Sequence, residues 1–117
     1  RRIMPKAETE AEADSCLNLL SGRRHKVLGA VVINSPSGTQ IYRVVTSVVT
    51  FKKLTQEEIN FYLKTREWEG KAGGYAIQGL AATYIRALNG SYSNVVGLPL
   101  YETYQMLKGM GFNYKVT

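Results

Sequence analysis

The sequence is poor in the residues that build disulfide and zinc frameworks. It contains one cysteine, Cys16, and one histidine, His25, in 117 residues. A single cysteine closes no internal disulfide, and no cluster of Cys and His has the spacing of a zinc site. These absences exclude a disulfide scaffold and a structural zinc module. We interpret Cys16 as a buried apolar residue, which fits a reducing, cytoplasmic compartment.

Long apolar runs are also absent from the sequence. No stretch reaches the roughly 18 residues that a membrane-spanning helix needs, so we expect no membrane partner. Hydrophobic residues make up 44% of the chain and charged residues 21%, which is ordinary for a globular domain. A chain of this size is long enough to bury a hydrophobic core.

Acidic residues are in deficit, with nine Asp and Glu against 15 Lys and Arg, which gives a formal charge of +6. This charge favours polyanionic partners such as nucleotides, nucleic acid or anionic lipid, without choosing among them. Four of the acids crowd the start of a helix predicted over 8–20, namely Glu8, Glu10, Glu12 and Asp14. Alternate helix positions point about 200° apart, so these carboxylates do not converge on one metal ion. We interpret them as solvated residues near the positive end of the helix dipole.

Hydrophobic periodicity predicts a single α/β unit over 1–117, in the order α-β-β-α-loop-β-α. Residues 26–34 form a continuous apolar run, typical of a strand covered on both faces, and residues 40–52 form a second strand. A turn signal between these two strands predicts a long β-hairpin. We predict a third strand over 81–88.

Two further helices are predicted in the second half of the sequence. Thr55 and Glu58 form a capping box, which opens a helix over 56–65. Pro99 suits the first turn of a last helix, over 98–110. We expect Leu100, Tyr104 and Leu107 to form the buried face of that helix. Residues 90–97 are expected to turn the chain.

The segment 69–79 is rich in glycine and is the most informative for chemistry. Glycines let the backbone approach a ligand, and exposed N–H groups can hold phosphate oxygens. Lys71 offers a point charge for phosphate, and Gln78 offers donors and acceptors that read a base or sugar edge. The spacing is not that of a Walker P-loop, since Lys71 is not followed by Ser or Thr. On chemistry alone, a flexible turn and a ligand-binding loop remain equal alternatives.

The single histidine lies in a short basic cluster, with Arg23, Arg24 and Lys26 around His25. Nothing in the sequence places a nucleophile beside His25, so we interpret it as a structural or surface residue. The basic cluster is compatible with a nucleic-acid patch, but we favour a solvated surface.

Two long strings resemble motifs of one family. Residues 71–79, Lys-Ala-Gly-Gly-Tyr-Ala-Ile-Gln-Gly, resemble the K-A-G-x-Y-x-I-Q-G motif of the Maf family, and residues 90–100 resemble its G-S-Y-x-N-V-V-G-L-P motif. Residues 20–27 look like the family's L-S-G-x-x-H-x-V segment, and residues 4–6 look like its lysine-containing L-P-K segment. The resemblance covers nearly the whole chain, in the family's order.

The resemblance implies both a fold and a reaction. It implies an α/β fold related to inosine triphosphate pyrophosphatases, with a mixed sheet, flanking helices and a nucleotide cleft between two lobes. It implies hydrolysis of nucleoside triphosphates to the monophosphate and pyrophosphate, with Mg²⁺ or Mn²⁺ as cofactor. The S-Y-x-N-V-V-G version resembles the branch that prefers dTTP and UTP. A nucleoside triphosphate is the expected partner, a homodimer is left open, and nucleic acid is not expected.

The same resemblance implies a set of substrate-binding residues. The lysines would offset phosphate charge as the α–β phosphoanhydride breaks, the glutamine would line the nucleotide cleft, and the small residues would shape its wall. The set is Lys6, Lys71, Gln78, Gly73, Gly74, Ser93 and Asn94. No catalytic residue and no metal ligand is identified in the chain.

The family's S-x-S-P-R-R and G-A-D-T segments have no counterpart among these residues. The first would supply phosphate-binding arginines and the second the aspartate for metal and water activation. We therefore expect the sequence to be the C-terminal portion of a Maf-like domain, beginning after those segments. Two alternatives are kept: a catalytically incomplete nucleotide-binding or regulatory module, and a basic nucleic-acid-binding domain with steeply salt-dependent binding.

Overall fold

A computed structural model of the chain describes residues 4–112. The chain divides into two compact units, each built from two stretches of sequence. Unit 1 comprises Arg1–Lys26 and Val48–Asn89, and unit 2 comprises Val27–Ser47 and Gly90–Thr117. The prediction of a single unit over 1–117 stays a prediction, and its first three and last five residues lie outside the described ones.

The described chain alternates short strands and helices. The strands are β1 (Lys6–Ala7), β2 (Arg24–Asn34), β3 (Gln40–Phe51), β4 (Lys71–Ala72) and β5 (Ile85–Asn89). The helices are α1 (Glu10–Leu20), α2 (Gln56–Thr65), a 3₁₀ helix (Leu80–Tyr84), α3 (Tyr92–Val96) and α4 (Leu100–Gly109). This order confirms the predicted α/β class with flanking helices. No helix among residues 4–112 is long and apolar enough to cross a membrane.

The strands form two sheets. One pairs β1 with β4, and the other has the order β2-β3-β5. Strands β1 and β4 are antiparallel, and so are β3 and β5, whose register shifts by one residue between Thr50 and Phe51. The predicted hairpin of β2 and β3 is confirmed, because the strands are neighbours and the Ser35 N–H donates to Thr39 O across the turn, at 2.8 Å.

Unit 1 holds the main core. Helices α1 and α2 each start at a threonine with a complete capping box, Thr9 with Glu12 and Thr55 with Glu58. The apolar faces of both helices are buried with aromatic side chains from the strands and loops. The largest side chains of unit 1 that are fully buried are Leu17, Leu20, Val49, Phe51 and Tyr62.

Two of the sequence predictions are wrong in unit 2. Strand β2 is not covered on both faces, because Leu28 and Val32 are 67% and 55% exposed. In helix α4 the predicted buried face is wrong: Leu100 and Tyr104 are 60% and 44% exposed, and the buried side chain is Met106. Apolar periodicity locates an element but does not say which packing partner is present.

Two boundaries also differ from the sequence prediction. The predicted strand over 81–88 is a 3₁₀ helix up to Tyr84, followed by a strand from Ile85. The predicted turn over 90–97 contains a short helix, α3, which begins after Ser91. The Ser91 side chain accepts a hydrogen bond from the Asn94 N–H at 3.1 Å, which is a capping contact that residue patterns did not reveal.

Candidate functional site

The two predicted phosphate-binding lysines lie in the small sheet of unit 1. The register opposes Lys6 to Ala72 and Ala7 to Lys71, so the backbones of the two lysines are diagonal neighbours. Because side chains alternate between faces along a strand, Lys6 and Lys71 leave opposite faces of this sheet. Both lysines are exposed, and no ion pair involves either one within the described part of the chain.

The glycine pair after β4 makes the turn that follows Lys71. Gly73 and Gly74 are buried and have φ values of 74° and 76°, a backbone conformation that favours glycine. The Gly73 N–H donates to Pro5 O at 3.0 Å, and the Gly74 N–H donates to Lys71 O at 2.9 Å. These donors already have protein acceptors. The hydrogen bonds therefore favour a wall-shaping role for both glycines over phosphate binding through their N–H groups.

The predicted glutamine lies at the corner of the next turn. The Gly79 N–H donates to Ala76 O at 3.1 Å, which closes a turn with Ile77 and Gln78 at its two central positions. Ile77 is buried at 8% exposure, while Gln78 is exposed. One central side chain thus anchors the turn in the core and the other projects outward, where its amide is available to a ligand.

Two residues that sequence reasoning missed hold this turn. The Ala76 N–H donates to the Tyr62 hydroxyl at 3.3 Å, and the Leu80 N–H donates to Glu67 Oε1 at 2.8 Å. Both partners come from the end of α2 or just after it. The contacts span 13 and 14 residues, so no local pattern in the sequence could have indicated them.

His25 packs in an aromatic cluster of unit 1. Its Nε2 lies 2.9 Å from the Tyr75 hydroxyl, and its ring centroid lies 5.7 Å from that of Tyr75. Phe51 meets Tyr75 edge-on at 5.0 Å. Burial lowers the pKa of the His25 imidazole and raises the pKa of the Tyr75 phenol, so both groups favour their neutral forms. These contacts support the structural interpretation of His25.

Ser93 and Asn94 lie in unit 2, where they hold backbone together. The Asn94 Nδ2 donates to Val27 O at 3.2 Å, to Val45 O at 3.1 Å and to Ser47 Oγ at 3.1 Å. Asn94 is 2% exposed, and it joins the two strands of the hairpin. The Ser93 hydroxyl accepts the Leu100 N–H at 2.9 Å. Both side chains shape the protein in this way, and their role as substrate-binding residues stays a prediction.

An apolar depression of about 490 Å³ lies beside α1 in unit 1. Its lining includes Met4, Pro5, Cys16 and Leu19. None of the predicted substrate-binding residues lines it, and it offers no cationic group for a phosphate. We do not assign the nucleotide to this depression.

Several acidic side chains of unit 1 have protein partners. Glu58 accepts two hydrogen bonds from Lys52 Nζ, at 2.8 and 2.7 Å, and these lower the pKa of its carboxyl. Glu69 is paired with Arg66 at 2.7 Å, which lowers its carboxyl pKa too. Among residues 4–112, no group of three or more His, Cys, Asp and Glu could hold a metal ion. The described residues therefore supply no preformed ligand cluster for Mg²⁺ or Mn²⁺, and this cofactor stays a prediction.

Comparison with known proteins identifies the family of the chain. The family model described as "Maf-like protein" matches residues 2–110. The chain belongs to the Maf-like protein family, as its motifs at 71–79 and 90–100 indicated.

The chain is similar to curated relatives named "dTTP/UTP pyrophosphatase". It is 62% identical over 112 residues to the protein of Granulibacter bethesdensis, covering 96% of this chain and 53% of that relative. The identity is 59% to the protein of Paramagnetospirillum magneticum, with 59% of it covered, and 56% to that of Rhodospirillum rubrum, with 53% covered. The chain thus spans little more than half the length of the curated relatives it matches.

Proposed function

We propose that the chain acts in a nucleoside triphosphate pyrophosphatase, which hydrolyses dTTP, UTP or modified nucleotides to the monophosphate and pyrophosphate. Relatives of that name support the proposal, at 56–62% identity over 112 residues. The observation that carries it is the turn 76–79, which holds the exposed Gln78 seven residues after the exposed Lys71. We assign the nucleotide-contacting side chains to this part of unit 1.

Gln78 suits recognition of thymine and uracil. Its side chain has a carbonyl acceptor and an amide with two donors. Thymine and uracil present a ring N–H donor flanked by two carbonyl acceptors, so one amide can both give and accept a hydrogen bond at the same base edge. A fixed amide that makes two such bonds discriminates against bases that lack the complementary pattern.

Lys6 and Lys71 suit the triphosphate. Cleavage of the α–β phosphoanhydride leaves negative charge on pyrophosphate, and ammonium groups nearby stabilise that charge as it develops. Because alternation separates the two lysine side chains, we propose that each meets a different part of the triphosphate rather than one shared oxygen. Gly73 and Gly74 would form the wall between Lys71 and Gln78.

The family resemblance also implies Mg²⁺ or Mn²⁺, which would polarise phosphate oxygens when bound. The described carboxylates supply no ligand cluster for such an ion. We therefore derive no step through the metal from this chain, and the proposal concerns substrate binding by its lysines and glutamine.

We infer a cytoplasmic setting, where the nucleotide pools are found. A free, buried Cys16 is compatible with that reducing compartment. Burial raises the pKa of the Cys16 thiol, which disfavours the reactive thiolate. A homodimer stays a hypothesis, and light scattering on the purified chain would test it.

Pyrophosphate release tests the proposed function. The chain would be assayed with dTTP, UTP, CTP, ATP and GTP in Mg²⁺ and in Mn²⁺. We expect any release to be greatest with dTTP and UTP, and the binding affinities to follow the same order if the chain binds nucleotides without cleaving them. We expect Gln78→Ala and Lys71→Ala to lower kcat/KM by at least about tenfold each, because each removes a polar or charged contact to the substrate.

Matched surface substitutions provide the controls. Gln105→Ala on α4 and Lys64→Ala on α2 remove exposed side chains of the same types, and we expect them to leave activity unchanged. Nucleotide binding without release would instead indicate the catalytically incomplete module. Equal losses in the control variants, or steeply salt-dependent binding of nucleic acid with none of nucleotide, would contradict the proposal.

A further inference from the structure

The turn that presents Gln78 is fixed by a carboxylate outside the motif. Glu67 Oε1 accepts the Leu80 N–H at 2.8 Å, two residues beyond Gln78. Hydrogen bonds to a charged acceptor are stronger than those between neutral groups. Glu67 therefore fixes the backbone on the C-terminal side of the turn.

Gly79 packs directly against the same carboxylate. A Cβ built on Gly79 would overlap Glu67 Oε1 and lie 2.8 Å from Glu67 Cδ. Gly79 has φ −108° and ψ −149°, which lies outside the broad β region, so both its backbone conformation and the space taken by Glu67 favour glycine. The carboxylate thus occupies the volume that a side chain next to Gln78 would need.

Glu67 is itself held by the end of α2. Its N–H donates to Thr65 Oγ1 at 3.2 Å, and Thr65 Oγ1 donates to Tyr62 O at 2.6 Å. The neighbouring Trp68 is 4% exposed and donates its indole N–H to Leu63 O at 2.8 Å. The segment that carries the carboxylate is therefore anchored on both sides.

A second contact fixes the other side of the turn. The Tyr62 hydroxyl accepts the Ala76 N–H at 3.3 Å, two residues before Gln78. Tyr62 is fully buried, and burial raises the pKa of its phenol to about 12. The exposed Gln78 therefore lies between two backbone N–H groups that are held by hydrogen bonds. Both acceptors belong to the end of α2 or to the residues just after it.

We infer that Glu67 is a positioning residue for Gln78, with Tyr62 as its counterpart on the other side of the turn. Together they fix the backbone from which the Gln78 side chain leaves, and so limit the positions that its amide can reach before a ligand arrives. Preorganisation of this kind raises affinity because less ordering remains to be done on binding. The inference rests on the proposed function for the identity of what Gln78 contacts.

Amide hydrogen exchange of the 117-residue chain tests the contact without any nucleotide. In Glu67→Ala we expect the Leu80 amide to exchange at least about tenfold faster, since its charged acceptor is lost. The Gly79 amide, which donates to Ala76 O within the turn, is expected to exchange faster as the turn loosens. Glu67→Gln retains a carbonyl acceptor and is expected to restore most of the protection. Glu69→Gln, which changes the nearby exposed acid that pairs with Arg66, is the control and is expected to leave both amides unchanged.

A second variant is needed if the Glu67→Ala substitution unfolds the chain. Glu67→Met keeps the length of the side chain and removes the acceptor, so it separates loss of the hydrogen bond from loss of packing. Unchanged protection of Leu80 in a folded Glu67→Ala or Glu67→Met variant would overturn the inference.

Affinity for dTTP gives a second test, because substitution of a residue that only stabilises the fold is not expected to change this affinity. Glu67→Ala and Gln78→Ala are each expected to weaken binding, and the double variant to be little weaker than Gln78→Ala alone, because both act through one amide. Additive losses would contradict positioning. A wild-type chain that binds no dTTP would contradict the proposed function, whereas the exchange result decides the positioning contact separately.

Discussion

At the scale of single residues, the glycines of this chain are required for two different reasons, which are backbone conformation and space. Gly73 and Gly74 adopt positive φ, whereas Gly29 has no such backbone requirement but faces Asn94. A Cβ on Gly29 would overlap Asn94 Oδ1 and lie 3.0 Å from Asn94 Cγ. The two hydrogens of Asn94 Nδ2 are shared among three acceptors and the residue is buried, so it has little freedom to move aside.

Gly29→Ala is therefore expected to lower the free energy of unfolding by about 1–3 kcal/mol, the usual range for overpacking. Urea denaturation would measure this change. Gly109→Ala is the matched control, because a Cβ there meets nothing within 4 Å. We expect it to be neutral, or stabilising by about 0.4–1 kcal/mol. Equal stability of the Gly29→Ala variant and the wild type would show that Asn94 can rearrange.

His25 gives unit 1 a pH dependence with a definite sign. Burial lowers its pKa in the fold, so the unfolded chain binds more protons as pH falls below about 6.5. Above that pH the neutral imidazole of His25 makes its full contribution to stability. The contribution is lost as the pH falls from there through the lowered pKa that His25 has in the folded chain. Glu58 and Glu69 have lowered carboxyl pKa values, so their contributions change only at more acidic pH.

We expect the Tm of the wild type to fall between about pH 7.5 and about pH 5.5, and to fall less in His25→Phe, which keeps an aromatic ring but does not titrate. Scanning fluorimetry at the two pH values would measure both changes. An equal fall in the two proteins would assign the pH dependence to other groups.

At the scale of elements, the starts of helices were predictable from local chemistry, whereas packing was predictable only in part, since Cys16 is buried as predicted but other faces are not. The capping box of Thr55 and Glu58 is contained within four residues, and α2 spans Gln56–Thr65 as predicted. The buried face of α4 and the covering of β2 depend on which other parts of the chain lie against them. A stripe of apolar residues carries no information about that.

The cap of α2 gives a prediction at this scale. Thr55 Oγ1 accepts the Glu58 N–H at 3.1 Å, and Glu58 Oε1 accepts the Thr55 N–H at 2.9 Å. Thr55→Ala is expected to lower the free energy of unfolding by about 1 kcal/mol. Thr55→Ser keeps the hydroxyl and should cost much less in urea denaturation. Equal losses for Ala and Ser would indicate that the methyl group of Thr55, rather than its hydroxyl, stabilises the helix.

At the scale of the whole molecule, the family resemblance indicated which residues form the candidate site, and the structure showed which contacts hold them. Composition and spacing alone left the 69–79 segment open between a flexible turn and a ligand loop. The motifs identified the family, and the family model matches residues 2–110. Neither could indicate that Gly73 and Gly74 donate to protein carbonyls or that Glu67 and Tyr62 hold the turn around Gln78, because those contacts form only on folding.

We propose that unit 1 presents Gln78 and Lys71 to a pyrimidine nucleoside triphosphate. Calorimetric titration of the chain with dTTP, beside its Gln78→Ala and Gln105→Ala variants, tests this proposal. We expect saturable binding that Gln78→Ala weakens by at least about tenfold and Gln105→Ala leaves unchanged. No binding by the wild type, or equal binding by all three proteins, would contradict it.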